Sequence, residues 1–238
     1  MPNTLDLDDE WDDVELIESL QRAFDIKFDP DEINGIANVG SLFNIVEREL
    51  GIPNGQKKCA SAMAFYRLRR ALRSMDEGMK LEPETDLNGF GKLSARAFLK
   101  GLCQSTGLHM PRQGLSWVGN VGGSILLLAL LALFPVAVLV NMHMLESRWG
   151  WTLATGFACS FTLLFLDPGR LPKGSTTLGG LSQKVAVLNY GRLSKLGARS
   201  DKASLWDNFV ELICELSNLP KNEINAETVF FRHQLKAA

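Results

Sequence analysis

The sequence predicts an all-α chain, and three observations carry that prediction. Apolar residues recur every three to four positions in several segments, the spacing that lines one face of a helix. Two uncharged apolar runs, at 115–145 and 149–166, are of helix length. None of these stretches alternates apolar and polar residues with the period of two that a half-buried strand requires.

The two runs dominate the chain. A bilayer core takes about 20 apolar residues as a helix, roughly 30 Å at 1.5 Å per residue. Lipid admits only helices or closed barrels, because backbone polar groups find no water there. The first run, with SILLLALLALFPVAVLV inside it, exceeds that length and the second meets it. The expectation is a transmembrane helical hairpin over 115–167, broken at Glu146-Ser147-Arg148. Trp117, Trp149 and Trp151 stand near the run ends, where interfacial aromatics belong. Pro135 is expected to kink the first helix, and Gly119 and Gly123 to offer a close-packing face. Arg96, Lys100 and Arg112 precede the hairpin, Arg170, Lys173 and Lys184 follow it, and the turn carries Arg148 alone. Basic flanks put both termini on the cytoplasmic side, as in a multi-pass protein of a bacterial inner membrane. The hairpin begins far from the N-terminus and does not read as a cleaved leader.

Outside the hairpin about 185 residues remain, enough for two small domains. Residues 1–56 carry 14 acids and 3 bases, whereas 57–238 carry 13 acids and 22 bases. Cys59, Cys103, Cys159 and Cys214 have no paired spacing and read as free thiols. His109, His143 and His233 are isolated, so no metal site is expected.

Taken in order, 5–52 reads as helices. Leu16, Leu20 and Phe24 recur every four residues with Val14 and Ile17 alongside, and Asp8 or Asp9 serves as the cap. Pro30 and Gly35 punctuate a loop. A second helix runs from about 39 to 50, capped by Asn38, with Leu42, Ile45, Val46 and Leu50 inward and Gly51 and Pro53 at its end. After the polar linker 54–58 comes the helix 59–75. Phe65, Leu68, Leu72 and Met75 form its apolar side, and Arg67, Arg69, Arg70 and Arg73 make it strongly basic. A helix at 92–106 precedes the hairpin, and a short one entered by a Thr-Leu-Gly turn follows it. Residues 191–202 read as a basic, polar linker. The last helix, at 204–219, has Ser204 and Asp207 as a capping box and Leu205, Phe209, Leu212, Ile213 and Leu216 as its apolar face.

The stretch WDDVELIESLQRAFDIKFDPDEINGIANVGSL resembles the second half of an acyl carrier protein, which reads roughly DSLDxVEL, a helix, an acidic FD-x-x-I-P loop and a short helix. The likeness runs without a gap from Glu10 to Leu42 and covers helices two to four of that four-helix bundle. The serine that carries 4′-phosphopantetheine in the family aligns with Glu10, and a carboxylate cannot accept the phosphodiester-linked arm. The resemblance therefore implies loss of carrier chemistry, with no cofactor. The family's acidic recognition face survives in part at Asp12 and Glu15, while Gln21 and Arg22 stand where acids are usual. A solvated helix face is the plain reading of those acids.

Residues 59–112 with 171–190 resemble a second, less clear unit of the same family. The basic helix would be its first, PETDL its loop before the serine motif, and TTLGGLSQKVA its last helix, with the membrane hairpin inserted between. Its serine position falls at Gly91 or Lys92. Ser94 lies nearby, but KLSAR is not the family motif, and a surface helix serine is the plain reading. INAETVFF near the C-terminus echoes LEPETDL, so that Phe65…Glu84-Thr85 and Phe209…Glu227-Thr228 repeat with one gap. The N-terminus thus supplies a body without a first helix, and 203–238 a first helix without a body. The two are expected to combine as a circularly permuted bundle, within one chain or between chains.

No phosphate-cradling loop, nucleophile elbow or metal-ligand cluster is present. The function this reading favours is a non-enzymatic, membrane-anchored interaction or assembly module built from degenerate carrier-like domains. The alternative is a membrane-tethered acyl carrier serving lipid or polyketide synthesis, and a third possibility is a small membrane enzyme whose site the sequence does not reveal. Expected partners are membrane lipid and a protein, or a second copy, held through the N-terminal helices and the C-terminal helix. Arg67 and Arg70 on the basic helix would face anionic headgroups or an acidic partner. No nucleic acid is expected.

Overall fold

Helical periodicity in the sequence becomes ten α-helices and no strand among the described residues of the computed structural model. The described residues are 4–5, 10–33, 36–51, 58–75, 80–88, 94–141, 148–199, 201–217 and 219–230, the side chains of 10–13, 133–141, 148–150 and 152 excepted. The helices are α1 (Glu10–Phe24), α2 (Pro30–Ile33), α3 (Val39–Leu50), α4 (Ala60–Met75), α5 (Ala95–Thr106), α6 (Trp117–Asn141), α7 (Arg148–Phe165), α8 (Leu178–Leu188), α9 (Tyr190–Lys195) and α10 (Lys202–Leu216).

They build two cores and a separate hairpin. In the first core Leu16, Leu20 and Phe24 of α1 meet Leu42, Phe43 and Val46 of α3 and Leu205, Phe209 and Ile213 of α10. Phe24, Phe43, Trp206 and Phe209 stack by their edges or at a tilt, with centroids 4.9–6.3 Å apart. The chain ends are tied here as well: Val229 bridges both Thr4 and Asn38. In the second core Leu68 and Leu72 of α4 meet Phe98 and Leu102 of α5 and Leu178, Leu181 and Val185 of α8.

The two cores repeat one plan, permuted in the chain. Positions one, four, five and eight are buried in both α3 (Val39, Leu42, Phe43, Val46) and α8 (Leu178, Leu181, Ser182, Val185). Each is capped by the residue before it: Asn38 Oδ1 accepts from Ser41 N, and Thr177 Oγ1 from Gly180 N. Each accepts the same incoming turn. Thr85 O takes Leu178 N at 2.9 Å and Thr228 O takes Val39 N at 2.9 Å; Pro83 O takes Gly179 N and Ala226 O takes Gly40 N. Within the turns Thr85 Oγ1 accepts from Glu82 N and Thr228 Oγ1 from Asn225 N. Helices α4 and α10 correspond likewise, with Ala64, Leu68, Ala71 and Leu72 buried in one and Leu205, Phe209, Leu212 and Ile213 in the other. Phe209 therefore matches Leu68, not Phe65, because Phe65 lies only partly buried beside the core.

Several expectations change. Residues 30–33 form a one-turn helix, with Asp29 Oδ1 accepting from Asp31 N. Val14 is exposed, and α3 buries Phe43 more fully than Ile45 or Leu50. On α4, Ala64 and Ala71 face inward while Met75 is exposed, because small residues let α4 approach α8. Residues 191–195, within the expected linker 191–202, belong to the helix α9 and are largely buried. The cap of α10 is Asp201, whose side chain accepts from Ser204 N, so the helix starts a turn earlier than a Ser204 cap implies. The expected caps Asp8 and Asp9 lie outside the described residues.

Helices α6 and α7 pack on each other more extensively than any other pair. They run antiparallel: Gly122 faces Leu163 and Leu164, and Ser160 Oγ donates to Gly122 O at 2.6 Å. Gly119 faces Asp167 and Gly123 meets nothing among the described residues, so close packing there falls at Gly119 and Gly122 and not at the expected Gly119–Gly123 pair. The hairpin is closed at its base by the Gly114–Arg170 bridge and by Asp167, which accepts from Ser116 N and Ser116 Oγ. Among the described residues no helix is long and apolar enough to cross a membrane. The described side chains of α6 end at Ala132, within its apolar run, and Pro135, the expected kink, lies beyond them.

Candidate functional site

Folding sorts the charges between the bundles. The stretches 1–56 and 201–238, whose described parts build the first, hold 20 acids and 7 bases, whereas 57–113 and 168–200, whose described parts build the second, hold 5 acids and 17 bases. The seam between them is stitched with that polarity. Arg112 pairs with Glu15, Lys184 with Glu215 at 2.8 Å and Lys195 with Asp25 at 2.7 Å, the base coming from the second bundle each time.

Helix α9 sits in this seam. Tyr190 is buried in the first core and Leu193 in the second, while Gly191 lies flat against the Phe24 carbonyl, where a Cβ would have no room. Arg192 donates to Gly107 O and Lys195 to Asp25 O. These are equivalent places, since Gly107 and Asp25 end α5 and α1 at positive φ, 66° and 53°. Just before α9, Asn189 is buried and its amide mimics a strand partner: Oδ1 accepts from His109 N and Nδ2 donates to His109 O, at 2.8 and 2.9 Å. The His109 imidazole is held below its ordinary pKa, first by partial burial and then by Arg22 and Arg192.

Beside the seam opens a groove of about 760 Å³. Its floor is apolar, from Ala23, Leu188, Leu212 and Leu216, and its rim carries the Arg112–Glu15 and Lys184–Glu215 pairs with Arg22 and His109. The groove lies close to the hairpin base, since Arg112 and Pro172 each stand two residues from the Gly114–Arg170 bridge.

The residues singled out from the sequence are scattered by the fold. Glu10 and Asp12 belong to the first turn of α1, and their side chains lie outside the described residues. Glu15 is held by Arg112 on the groove rim. Ser94 is the N-cap of α5, its hydroxyl accepting from Ala97 N at 3.2 Å. Arg67 is half-buried and Arg70 exposed on the outer side of α4. No group of three or more His, Cys, Asp or Glu side chains is placed to hold a metal among the described residues.

Sequence reasoning did not single out Asn189 or α9. The signal for Asn189 is a bond between residues 80 apart, invisible to any local pattern. On α10, Asp207 and Glu211 form an exposed acidic pair beside Lys221. Compared with protein-family models, curated proteins and solved structures, the chain has no significant match.

Proposed function

We propose that this chain is a non-enzymatic, membrane-anchored assembly module, in which two degenerate acyl-carrier-like bundles ride on the α6–α7 hairpin as its anchor. The observation that carries the reading is the surface of that hairpin. Leu127, Leu128, Leu130 and Leu131 of α6 and Phe161 and Phe165 of α7 are all exposed. So large a contiguous apolar surface marks a partner or a lipid environment, and neither bundle covers it. Trp117, 75% exposed at the start of α6, and Arg170 and Lys173 beside the base suit a headgroup region. Both bundles, and hence both termini, then lie on the cytoplasmic face.

The carrier-like part of the reading rests on the residue pattern from Glu10 to Leu42 and on its echo in the second unit. Carriage of an acyl arm is disfavoured because Glu10 occupies the serine position and the Ser94 hydroxyl is engaged as a helix cap. Membrane fractionation tests the anchor. The full chain should sediment with membranes and need detergent for release, and reporters at both ends should report the cytoplasmic side. A monodisperse chain in the high-speed supernatant without detergent would overturn it. Incubation with a carrier-protein transferase should leave the intact mass unchanged, whereas a gain abolished by Ser94→Ala would reinstate the acyl carrier.

A further inference from the structure

The correspondence of α4 and α10 sets two equivalent helix faces of opposite charge on one molecule. Four buried positions of α4 recur at the same spacing in α10, and that register sets Tyr66 against Asp207 and Arg70 against Glu211. Around Tyr66 the α4 face carries Arg67, Arg70 and Arg73, and none of these arginines has an ion-pair partner among the described residues. On the α10 face Asp207 and Glu211 remain 67% and 50% exposed, with Lys221 at 3.6 Å from each as their one ion-pair partner among the described residues. Glu215, the next acid along, is held at the seam by Lys184.

We propose that copies of this chain associate head to tail, the arginine face of α4 in one copy docking on the acidic face of α10 in the next. This deepens the assembly reading by naming the partner as a second copy. Charge complementarity selects that occupant. The bundle bearing α4 is strongly basic and the bundle bearing α10 strongly acidic, and the seam inside one chain already joins them with base from the second and acid from the first. Exposed Tyr66, which stands among these arginines, supplies the aromatic surface that protein interfaces favour over Lys or Glu. The two faces differ, so the contact is heterologous and leaves one of each free at the ends; it closes into rings or propagates as open chains. A shared membrane anchor would hold all copies in one plane.

Sedimentation velocity of the full chain in nonionic detergent tests this. The wild type should form assemblies larger than one copy at low salt, and these should shrink at about 0.5 M salt, where exposed charges are screened. The α4 variant R67E/R70E/R73E and the α10 variant D207K/E211K alter exposed or half-exposed side chains; circular dichroism should find both folded. Each alone should weaken association about tenfold or more, since like charges then meet. An equimolar mixture should regain it, because the acidic α10 face of the first variant still meets the basic α4 face of the second, and the two reversed faces complement each other. A wild type that stays a single copy at every concentration overturns the proposal. So do variants that assemble as the wild type does. Loss of binding to phosphatidylserine vesicles by the α4 variant, with assembly unchanged, assigns the face to lipid and also overturns it. A single copy that still needs detergent leaves the anchor standing, whereas assembly in the absence of detergent removes the anchor and keeps the self-contact.

Discussion

Tyr190 and Leu193 stand one turn apart on α9 and are buried in different cores, Tyr190 at 1% exposure with Phe24 and Phe209, and Leu193 at 0% with the α4–α8 cluster. A six-residue helix has almost no stability of its own, so α9 exists because both bundles hold it. It couples them in return. Leu193→Ala and Tyr190→Ala should each cost about 2–5 kcal/mol, and each should turn a single denaturant transition into two as the bundles uncouple. A single transition with unchanged midpoint in either variant would show that α9 carries no coupling.

The same tyrosine predicts an alkaline signature. Its hydroxyl is buried without a hydrogen-bond partner among the described residues, and burial, with Asp201 as a smaller contributor, pushes its pKa up to about 12. In the unfolded chain the phenol ionises near pH 10. Between about pH 10 and 12 the folded state therefore holds more protons than the unfolded one, and stability falls as pH rises through that window. Tyrosinate absorbance should display one of the two tyrosines ionising only near pH 12 in the folded protein, and Tyr190→Phe should remove that step. At neutral pH the same variant should be as stable as the wild type or slightly more so, because it deletes an unsatisfied polar group.

Much of the helical plan was legible because apolar spacing and caps are local. Asn38 and Thr177 cap α3 and α8 where short polar residues precede apolar runs. The placement of α10 against α1 and α3 was legible for a different reason. Leu205, Phe209 and Ile213 form a face that its own neighbours cannot cover, and α1 and α3 leave a complementary one. What was not legible depends on tertiary context. YGRLSK holds a glycine and two charges, and only the narrow seam between two cores makes it a buried helix. The groove and the His109–Asn189 pairing join residues far apart in sequence, so no motif announces them. Val14 lies beside an apolar stripe yet faces solvent, because α10 covers α1 from the other side.

Thiol reactivity should separate Cys59 from Cys214. Cys59 precedes α4 and is exposed; its thiol is lowered first by the Ser61 hydroxyl and then by the Ala62 amide. Cys214 is raised, first by burial and then by the Glu211 charge. Only the thiolate attacks an alkylating reagent, so near neutral pH Cys59 should be modified well before Cys214. Ser61→Ala should slow Cys59 and leave Cys214 unchanged. Peptide mapping after brief iodoacetamide treatment reads both, and a faster Cys214 would contradict the geometry.

The repeated turn makes the most specific stability prediction. Gly40 and Gly179 are each the second residue of their helix, and each receives the carbonyl of an incoming turn on its amide. A Cβ at Gly40 would lie 2.8 Å from Ala226 O, and one at Gly179 would lie 3.0 Å from Pro83 O. Those oxygens are backbone atoms already bonded to the glycine amides, so they cannot swing aside without breaking the turn. Gly40→Ala and Gly179→Ala should therefore each destabilise by about 1–3 kcal/mol, one in each bundle, despite alanine's better helix propensity. Gly101→Ala in the middle of α5 is the control. Among the described residues its Cβ would meet only the Met75 Cε at 3.4 Å, the flexible end of an exposed side chain, so it should gain up to about 1 kcal/mol from propensity. Thermal melts of the three variants decide it. A stabilised Gly101→Ala beside two weakened variants supports the repeat. A tolerated Gly40→Ala beside a damaged Gly179→Ala would mean that the two turns, though bonded alike, do not constrain their helices alike.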